Sequence, residues 1–180
     1  NAELAAHTLA WVDANPLGTA SGYGVNLALD REGVTADLGF ARTLVNPIAA
    51  QLSRGKYEWQ ALAALAQALN DVRRFAWDLS LFTSAEFDFV ALPNAFTTGS
   101  SLMPNKRNPD VVELLRASPS VVQGAMLELQ SLSALPLGYH RDMQAGKGPV
   151  LRAFAHGLDA LAIAARVFEA VAWKPERMRA

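Results

Sequence analysis

Apolar residues recur at spacings of three and four through the middle of the chain, and this pattern predicts a long helix over residues 57–85. The residues on this face are Leu62, Leu65, Leu69, Val72, Phe75 and Leu79. Five alanines interleave with them between positions 61 and 68, so the predicted helix carries small residues on several faces. Because small side chains let neighbouring helices approach from more than one side, the pattern favours a helix in the middle of a bundle.

Helix start and stop signals divide the first third of the chain into shorter elements. The predicted elements are a helix over 2–14 that ends at Asn15-Pro16, a glycine-rich loop over 16–30, a helix over 31–38, and one or two helical turns within 41–56. Asp30 is the expected N-cap of the second helix, and Gly39 is expected to end it.

A proline-containing sequence predicts the start of the next helix. Asn108 is the expected N-cap, Pro109 the first helical residue, and Asp110 the acidic residue of the first turn. This helix is expected to run to about residue 130, with a kink or a restart at Pro119 that Ser118 caps.

The remaining segments complete an all-helical pattern. They are an extended connector over 87–96, a polar connector over 131–146 and a last long helix over roughly 148–172. Strand signals are sparse, and the prolines and glycines lie in short loops rather than in a linker. We therefore expect an all-α fold, a bundle of long helices, with residues 1–180 belonging to one domain.

Composition narrows the class of protein. The 180 residues are 51% hydrophobic and 18% charged, with a net charge of −1, as in a globular protein. The chain lacks the basic excess that drives binding to nucleic acid or to an anionic membrane. It contains no cysteine, which excludes disulfides and thiolate metal sites and fits a cytoplasmic location. No apolar run is long enough for a membrane span.

The chain begins within a helical pattern and without an initiator methionine. Its first residues also lack the basic segment and apolar core of a signal peptide. We therefore expect the chain to be an internal piece of a longer subunit.

One polar loop interrupts the alanine- and leucine-rich helices: residues 97–110 read TTGSSLMPNKRNPD. A serine acts as a base only where its oxyanion is stabilised. Gly99 permits a backbone turn that aims amide N–H groups at one oxygen, Lys106 supplies a positive charge, and Asn108 supplies an amide donor. The loop is thus either a site for an oxyanion or a carboxylate, or an ordinary solvated connection between helices.

The spacing of the loop residues is more specific than their composition. The residues that define this spacing are Gly99, Ser100, Ser101, Met103, Lys106, Asn108 and Glu113. This string resembles the signature of the fumarase/aspartase superfamily, whose members cleave C–N or C–O bonds by β-elimination and release fumarate. Within that superfamily, residues 16–32 and 138–147 are similar to segments of the argininosuccinate lyase family. The resemblance covers nearly the whole chain and implies the superfamily's central helical domain.

The resemblance also implies roles for the loop residues. Ser100 matches the catalytic base that removes a substrate proton. Lys106 and Asn108 match residues that bind and stabilise the carboxyl group on which negative charge then develops. Ser101, next to Ser100, is also expected to bind the substrate. Glu113 matches a glutamate that pairs with a histidine of another subunit and raises its pKa; outside the signature it reads as an exposed helix charge.

Further substrate-binding residues are implied outside the loop. Tyr139, Gln144 and Lys147 match positions that hold the substrate through its carboxylates and polar groups, although a polar turn before a helix has the same composition. Arg31 is expected either to contact the substrate or to order the glycine-rich loop. An equally plausible alternative is that Arg31 has no such role and is simply part of the helix start after Asp30.

The three histidines do not match the catalytic histidine of the family. His7 and His156 lie in predicted helices, and His140 lies beside Tyr139 without occupying the catalytic position. The family's threonine–histidine segment lies upstream of the region that this sequence matches. The chain is therefore expected to contribute only part of an active site and to be inactive alone.

The implied assembly is a homotetramer in which each active site takes residues from three subunits. Argininosuccinate is the expected small-molecule substrate and arginine biosynthesis the expected pathway, without a cofactor or a metal, since the chemistry is acid–base. Two alternatives stay open. The chain resembles adenylosuccinate lyase or another fumarate-releasing member in part of its loop, and lens crystallins related to the family are catalytically silent structural proteins.

Overall fold

The computed structural model describes residues 1–133 and 139–179. The helices are Ala2–Val12 (α1), Arg31–Asp37 (α2), Pro47–Leu52 (α3), Lys56–Phe82 (α4), Asp110–Ala117 (α5), Pro119–Leu132 (α6), Lys147–Ala170 (α7) and Pro175–Met178 (α8). The other described elements are 3₁₀ turns at Asn94–Phe96 and Arg141–Gly146 and antiparallel two-residue strands at Val90–Ala91 (β1) and Ala172–Trp173 (β2). Helices dominate the described chain, which confirms the all-α prediction.

The chain forms two compact units, and each is built from two separate segments. The first unit contains residues 1–65 and 123–153, and the second contains residues 66–122 and 154–180. The sequence did not indicate this division, because the breaks fall inside α4, α6 and α7 rather than in a linker rich in proline or glycine.

The first unit has its core along the three long helices. Leu62 of α4, Leu129 of α6 and Ala153 of α7 are almost completely buried there. A Cβ atom built on Gly146 would lie 2.9 Å from Leu129 Cδ2, so the 3₁₀ turn before α7 packs its backbone directly on α6. This close packing fixes the position of the residues that open α7.

The second unit buries the rest of the α4 face. Its buried residues include Leu69, Ala76 and Leu79 of α4, Val112 and Leu115 of α5, and Val167 of α7. The predicted apolar face is confirmed at the four leucines. Val72 and Phe75 are only half-buried, because Ala76 takes the fully buried position on that part of the helix. The Phe75 ring instead lies against Phe168, with ring centres 5.5 Å apart.

Local signals fix the elements around α2 as predicted. Asp30 Oδ1 accepts a hydrogen bond from Gly33 N at 2.8 Å and so caps the helix. The chain leaves the helix through Gly39 at a φ of +76°, a conformation that glycine adopts without steric cost. Asn15, which lies three residues after the end of α1, is fully buried and donates through Nδ2 to Thr35 Oγ1 at 2.9 Å, so it also ties the loop to α2.

The start of α5 differs from the prediction. Asn108 does not cap the helix, which begins at Asp110 with Pro109 at the N-cap position and no side-chain cap hydrogen bond. The prediction is wrong because the backbone of Asn108 is used by a bridge to Thr98.

Pro119 restarts the helix as predicted, since α5 ends at Ala117 and α6 begins at Pro119. The predicted cap by Ser118 is wrong: its hydroxyl donates backward to Leu115 O at 2.9 Å. Positions 134–138 of the predicted polar connector over 131–146 lie outside the described residues. The last predicted helix is confirmed as Lys147–Ala170. None of the described helices is long and apolar enough to cross a membrane.

An ion pair joins two distant segments of the second unit. The Lys174 ammonium donates to the Asp88 carboxylate, and Arg177 Nε lies 3.8 Å from Asp88 Oδ2. The same segments pair as β1 and β2, with Val90 opposite Trp173. The hydrogen bond from Lys174 lowers the pKa of Asp88, partial burial opposes this, and the positive charges of Lys174 and Arg177 add to it.

We expect Asp88→Asn to lower the melting temperature at neutral pH. A carboxyl whose pKa is lower in the folded state stabilises the fold above its ordinary pKa of 3.8, and this contribution is lost as the pH falls through the lowered value. The difference in melting temperature between the variant and the parent should therefore shrink in acid. Asparagine tolerates the φ of +48° at this position, so the substitution removes the charge without backbone strain.

Thermal melts at a series of pH values measure this effect. Asp78→Asn is the matched control, because Asp78 is exposed and forms no ion pair within the described residues. An Asp88→Asn difference that stayed constant with pH would contradict the assignment.

Candidate active site

The polar loop of the second unit is closed at its base by backbone hydrogen bonds. Thr98 N donates to Asn108 O at 3.0 Å, and Asn108 N donates to Thr98 O at 2.8 Å. The Thr98 hydroxyl also donates to the Asp110 carboxylate at the start of α5. The residues from Gly99 to Arg107 therefore form a closed loop that leaves the fold and returns to it at one point.

Arg107 ties the base of the loop to the preceding 3₁₀ turn. Its guanidinium donates to the Asn94 side chain and, at 3.4 Å, to Leu92 O. Leu92 is buried, so this cation connects an exposed loop to the packed part of the second unit.

Ser100 lies inside the loop, where two backbone amides converge on its hydroxyl. Leu102 N and Met103 N each donate to Ser100 Oγ at 3.3 Å. Such a concave arrangement of N–H groups lowers the cost of negative charge on the oxygen that it surrounds. The loop thus provides the serine with part of the stabilisation that an alkoxide requires.

The backbone of Lys106 lies across the loop from Gly99. Its backbone N donates to Met103 O at 2.9 Å, and its carbonyl oxygen lies 4.0 Å from the position of a Cβ atom built on Gly99. Gly99 does not adopt a positive φ. The turn is made instead by the residues after Ser100.

The loop presents its polar side chains outward. Ser101 and Lys106 are exposed, Ser100 and Asn108 are half-buried, and the Lys106 ammonium has no ion-pair partner among the described residues. The Lys106 ammonium, the hydroxyls of Ser100 and Ser101 and the Asn108 amide therefore lie on a single short loop, and this combination suits a carboxylate ligand.

Glu113 lies one turn into α5 and is half-exposed. Its Oε1 is 3.8 Å from Arg116 Nη2, and the guanidinium of Arg116 lies 4.4 Å from the centre of the Trp77 ring. An ion pair this exposed and this long contributes little to stability. Glu113 is accordingly available to another partner at low cost.

A second group of predicted residues meets in the first unit. Gln144 Nε2 donates to the Tyr139 hydroxyl at 3.1 Å. Lys147, the first residue of α7, lines a cavity of about 360 Å³ whose wall also includes Met143. Tyr139 and Gln144 thus contact each other shortly before α7, and Lys147 opens that helix.

Sequence reasoning missed two charged residues of this group, Arg54 and Glu58. Both line the cavity, and the Arg54 guanidinium lies 5.3 Å from the centre of the Tyr139 ring. Gly55, at a φ of +84°, turns the chain between them into α4. A cation beside a glycine directly before a long helix was the available signal.

Arg31, the remaining predicted residue, is held by main-chain carbonyls of the first unit. Its Nε donates to Leu17 O at 2.9 Å, and its terminal nitrogens donate to Val45 O at 3.2 Å and to Leu44 O. This geometry orders the glycine-rich loop, which is one of the roles expected for Arg31; contact with substrate stays a prediction.

The three histidines differ in exposure. His7 and His156 are exposed on helices, and His140 is half-buried before the second 3₁₀ turn. Among residues 1–133 and 139–179, no three His, Asp or Glu side chains are grouped as metal ligands.

Comparison with known proteins finds a matching family and similar sequences. A family model described as "Lyase" matches residues 3–124. Curated argininosuccinate lyases from Xanthomonas axonopodis pv. citri and Stenotrophomonas maltophilia are each 59% identical over all 180 residues. The chain spans 42% of the length of these relatives.

Solved structures share the fold. EDDS lyase in complex with formate matches with a TM-score of 0.79 and 24% identity, over 97% of this chain and 34% of that chain. A class II fumarase from Schistosoma mansoni matches with a TM-score of 0.85 and 18% identity, over 98% of this chain and 42% of that chain. A variant of EDDS lyase with bound fumarate matches with a TM-score of 0.76 and 25% identity, over 97% of this chain and 34% of that chain.

Proposed function

The chain belongs to the lyase family that the model describes, and we propose that the protein of which it forms part cleaves argininosuccinate into arginine and fumarate by β-elimination. The observation that carries this chemistry is the convergence of two amides on Ser100 Oγ within a loop that also holds Lys106. The choice of argininosuccinate rests on the 59% identity to curated argininosuccinate lyases.

Ser100 acts as the base in this proposal. Its alkoxide, stabilised by the N–H groups of Leu102 and Met103, takes a proton from the carbon next to the one that carries the departing nitrogen. The electron pair of that C–H bond moves into the neighbouring carboxyl group. It then forms the C=C bond of fumarate as the C–N bond breaks, and the nitrogen leaves with its bonding pair and gains a proton.

Lys106, Asn108 and Ser101 bind the carboxyl group on which the charge develops. A fixed cation and fixed hydrogen-bond donors stabilise a transition state most where its charge exceeds that of the ground state. The Thr98–Asn108 bridge holds the backbone of Asn108 at the base of the loop before the substrate arrives.

Tyr139, Gln144 and Lys147 bind the other polar groups of the substrate. The Gln144–Tyr139 hydrogen bond fixes the direction of the tyrosine hydroxyl, and Lys147 brings a cation to the same end of α7. Arg31 orders the glycine-rich loop, and Glu113 pairs with a histidine supplied by another subunit.

We also propose that the intact protein is a homotetramer whose active sites combine residues of several subunits. Large apolar side chains that remain exposed on the long helices support this, because soluble proteins usually cover such faces. They include Leu127, Leu158 and Phe168. A role in arginine biosynthesis in the cytoplasm follows from the proposed reaction.

We expect the intact protein to release fumarate from argininosuccinate and not from adenylosuccinate. The absorbance of fumarate reports both reactions in the same assay. Cleavage of adenylosuccinate alone would assign the protein to the other branch of the superfamily. Failure to cleave either compound by a folded protein would favour the crystallin-like structural role.

A further inference from the structure

A cavity in the first unit is lined by three charged side chains that do not neutralise one another. Arg54, Glu58 and Lys147 border the same space of about 360 Å³. None of the three forms an ion pair with a described residue. Two cations and one anion around a single cavity suit a ligand that itself carries charges of both signs.

Arg54 lies over an aromatic ring, and its donors remain available. The guanidinium lies 5.3 Å from the centre of the Tyr139 ring and donates no hydrogen bond to a described residue. Stacking on an aromatic ring restricts the orientation of the guanidinium. A guanidinium fixed in this way presents a planar pair of N–H groups, the arrangement that binds a carboxylate through two parallel hydrogen bonds.

Glu58 is positioned by the start of α4. Its Oε2 accepts a hydrogen bond from Gly55 N at 2.8 Å. This bond fixes the carboxylate beside the cavity while its second oxygen makes no hydrogen bond to a described residue. Glu58 can therefore accept from an ammonium group without losing its place in the helix start.

The other described side chains that line the cavity are apolar. Met143, Val150 and Leu151 line it together with Leu129. A ligand that fits such a wall carries a hydrocarbon chain next to its charged groups.

We propose that Arg54 is a further substrate-binding residue, and that the cavity takes the α-amino-acid end of the substrate. Arg54 and Lys147 receive the carboxylate of that end, Glu58 receives its ammonium group, and the apolar wall holds the methylene chain. The assignment rests on the proposed function, in which this end of argininosuccinate leaves as arginine.

Isothermal titration of the intact protein with L-arginine and with agmatine tests the role of Arg54. Agmatine keeps the amine and the guanidinium of arginine and lacks the carboxylate. We expect Arg54→Gln to weaken the binding of arginine by about tenfold or more, the loss for one charge-assisted hydrogen bond. Agmatine binding should not change. Arg73→Gln is the matched control, since it removes one exposed guanidinium from α4 outside the cavity.

The same titration with argininic acid tests the role of Glu58. This analogue carries a hydroxyl in place of the α-amino group. Glu58→Gln should weaken the binding of arginine and leave that of argininic acid unchanged, and the amide oxygen can still accept from Gly55 N. Equal losses for both ligands would contradict the contact with the ammonium group.

Steady-state kinetics separate this role from a structural one. Arg54→Gln should raise KM for argininosuccinate and the inhibition constant of arginine, with kcat and the inhibition constant of fumarate close to those of the parent. Unchanged arginine binding in Arg54→Gln, or none in the parent, would overturn the inference even if argininosuccinate is cleaved. Arginine binding that depends on Arg54 in a protein without lyase activity would instead contradict the proposed function.

Discussion

Replacement of Ser100 by alanine in the intact protein is expected to lower kcat for argininosuccinate by about 10²- to 10⁴-fold, the range for loss of a positioned base. The Ser100 hydroxyl is the oxygen on which Leu102 N and Met103 N converge. Alanine removes the group that takes the proton and leaves the carboxylate-binding side chains of the loop in place. KM should therefore change much less than kcat.

Single-turnover measurement of fumarate release gives the rate of the chemical step for this variant. Ser131→Ala is the control, because Ser131 is an exposed serine of α6. Its hydroxyl donates a hydrogen bond to Leu127 O, within its own helix, at 2.9 Å. The melting temperatures of both variants should equal that of the parent. Near-normal turnover by Ser100→Ala would remove Ser100 as the base.

Replacement of Leu69 by alanine is expected to lower the free energy of unfolding by about 2–5 kcal/mol, the range for a fully buried leucine in a packed core. Leu69 is completely buried in the second unit, on the part of α4 that also buries Ala76 and Leu79. The loss combines the transfer of the removed atoms from the core with the cavity that they leave. It should be large because several buried side chains cannot all move to fill the space.

Denaturant unfolding at one fixed protein concentration measures this loss. Leu81→Ala is the control on the same helix, since Leu81 is 50% exposed. The control should cost far less than Leu69→Ala. Similar losses for the two variants would show that Leu69 is not a core position of the second unit.

The long helices could be predicted because their signals are local. The spacing of the leucines predicted α4, Asp30 predicted the start of α2, and Pro119 predicted the restart at α6. Each of these depends on side chains within a few positions of one another. Packing then selects among the candidates, as where Ala76 is buried in place of Val72.

The failures concern backbone groups whose partners are distant in sequence. Asn108 has the side chain of a helix cap, but its N–H and C=O pair with Thr98 across the loop. Nothing in the residues around Asn108 indicates that competition. The division into two units escaped prediction for a similar reason, because each unit combines segments that are far apart along the chain.

The candidate site was predicted to the extent that its signature is contiguous. Ser100, Lys106 and Asn108 lie on one loop, as their spacing implies. Arg54 was missed because its environment depends on Tyr139, which comes from a later part of the chain. A single sequence does not indicate which cation lies over which aromatic ring.

The bridge between Thr98 and Asn108 has a consequence for how tightly substrate is held. The entropy lost when a flexible loop is closed rises with the logarithm of its length. In this protein that loss is already incurred in the free state, since two backbone hydrogen bonds and the Arg107 contacts fix both ends. Substrate binding then has to order only the residues near Ser100 and Lys106. Little of the binding free energy is therefore lost in placing the Ser100 hydroxyl against the substrate.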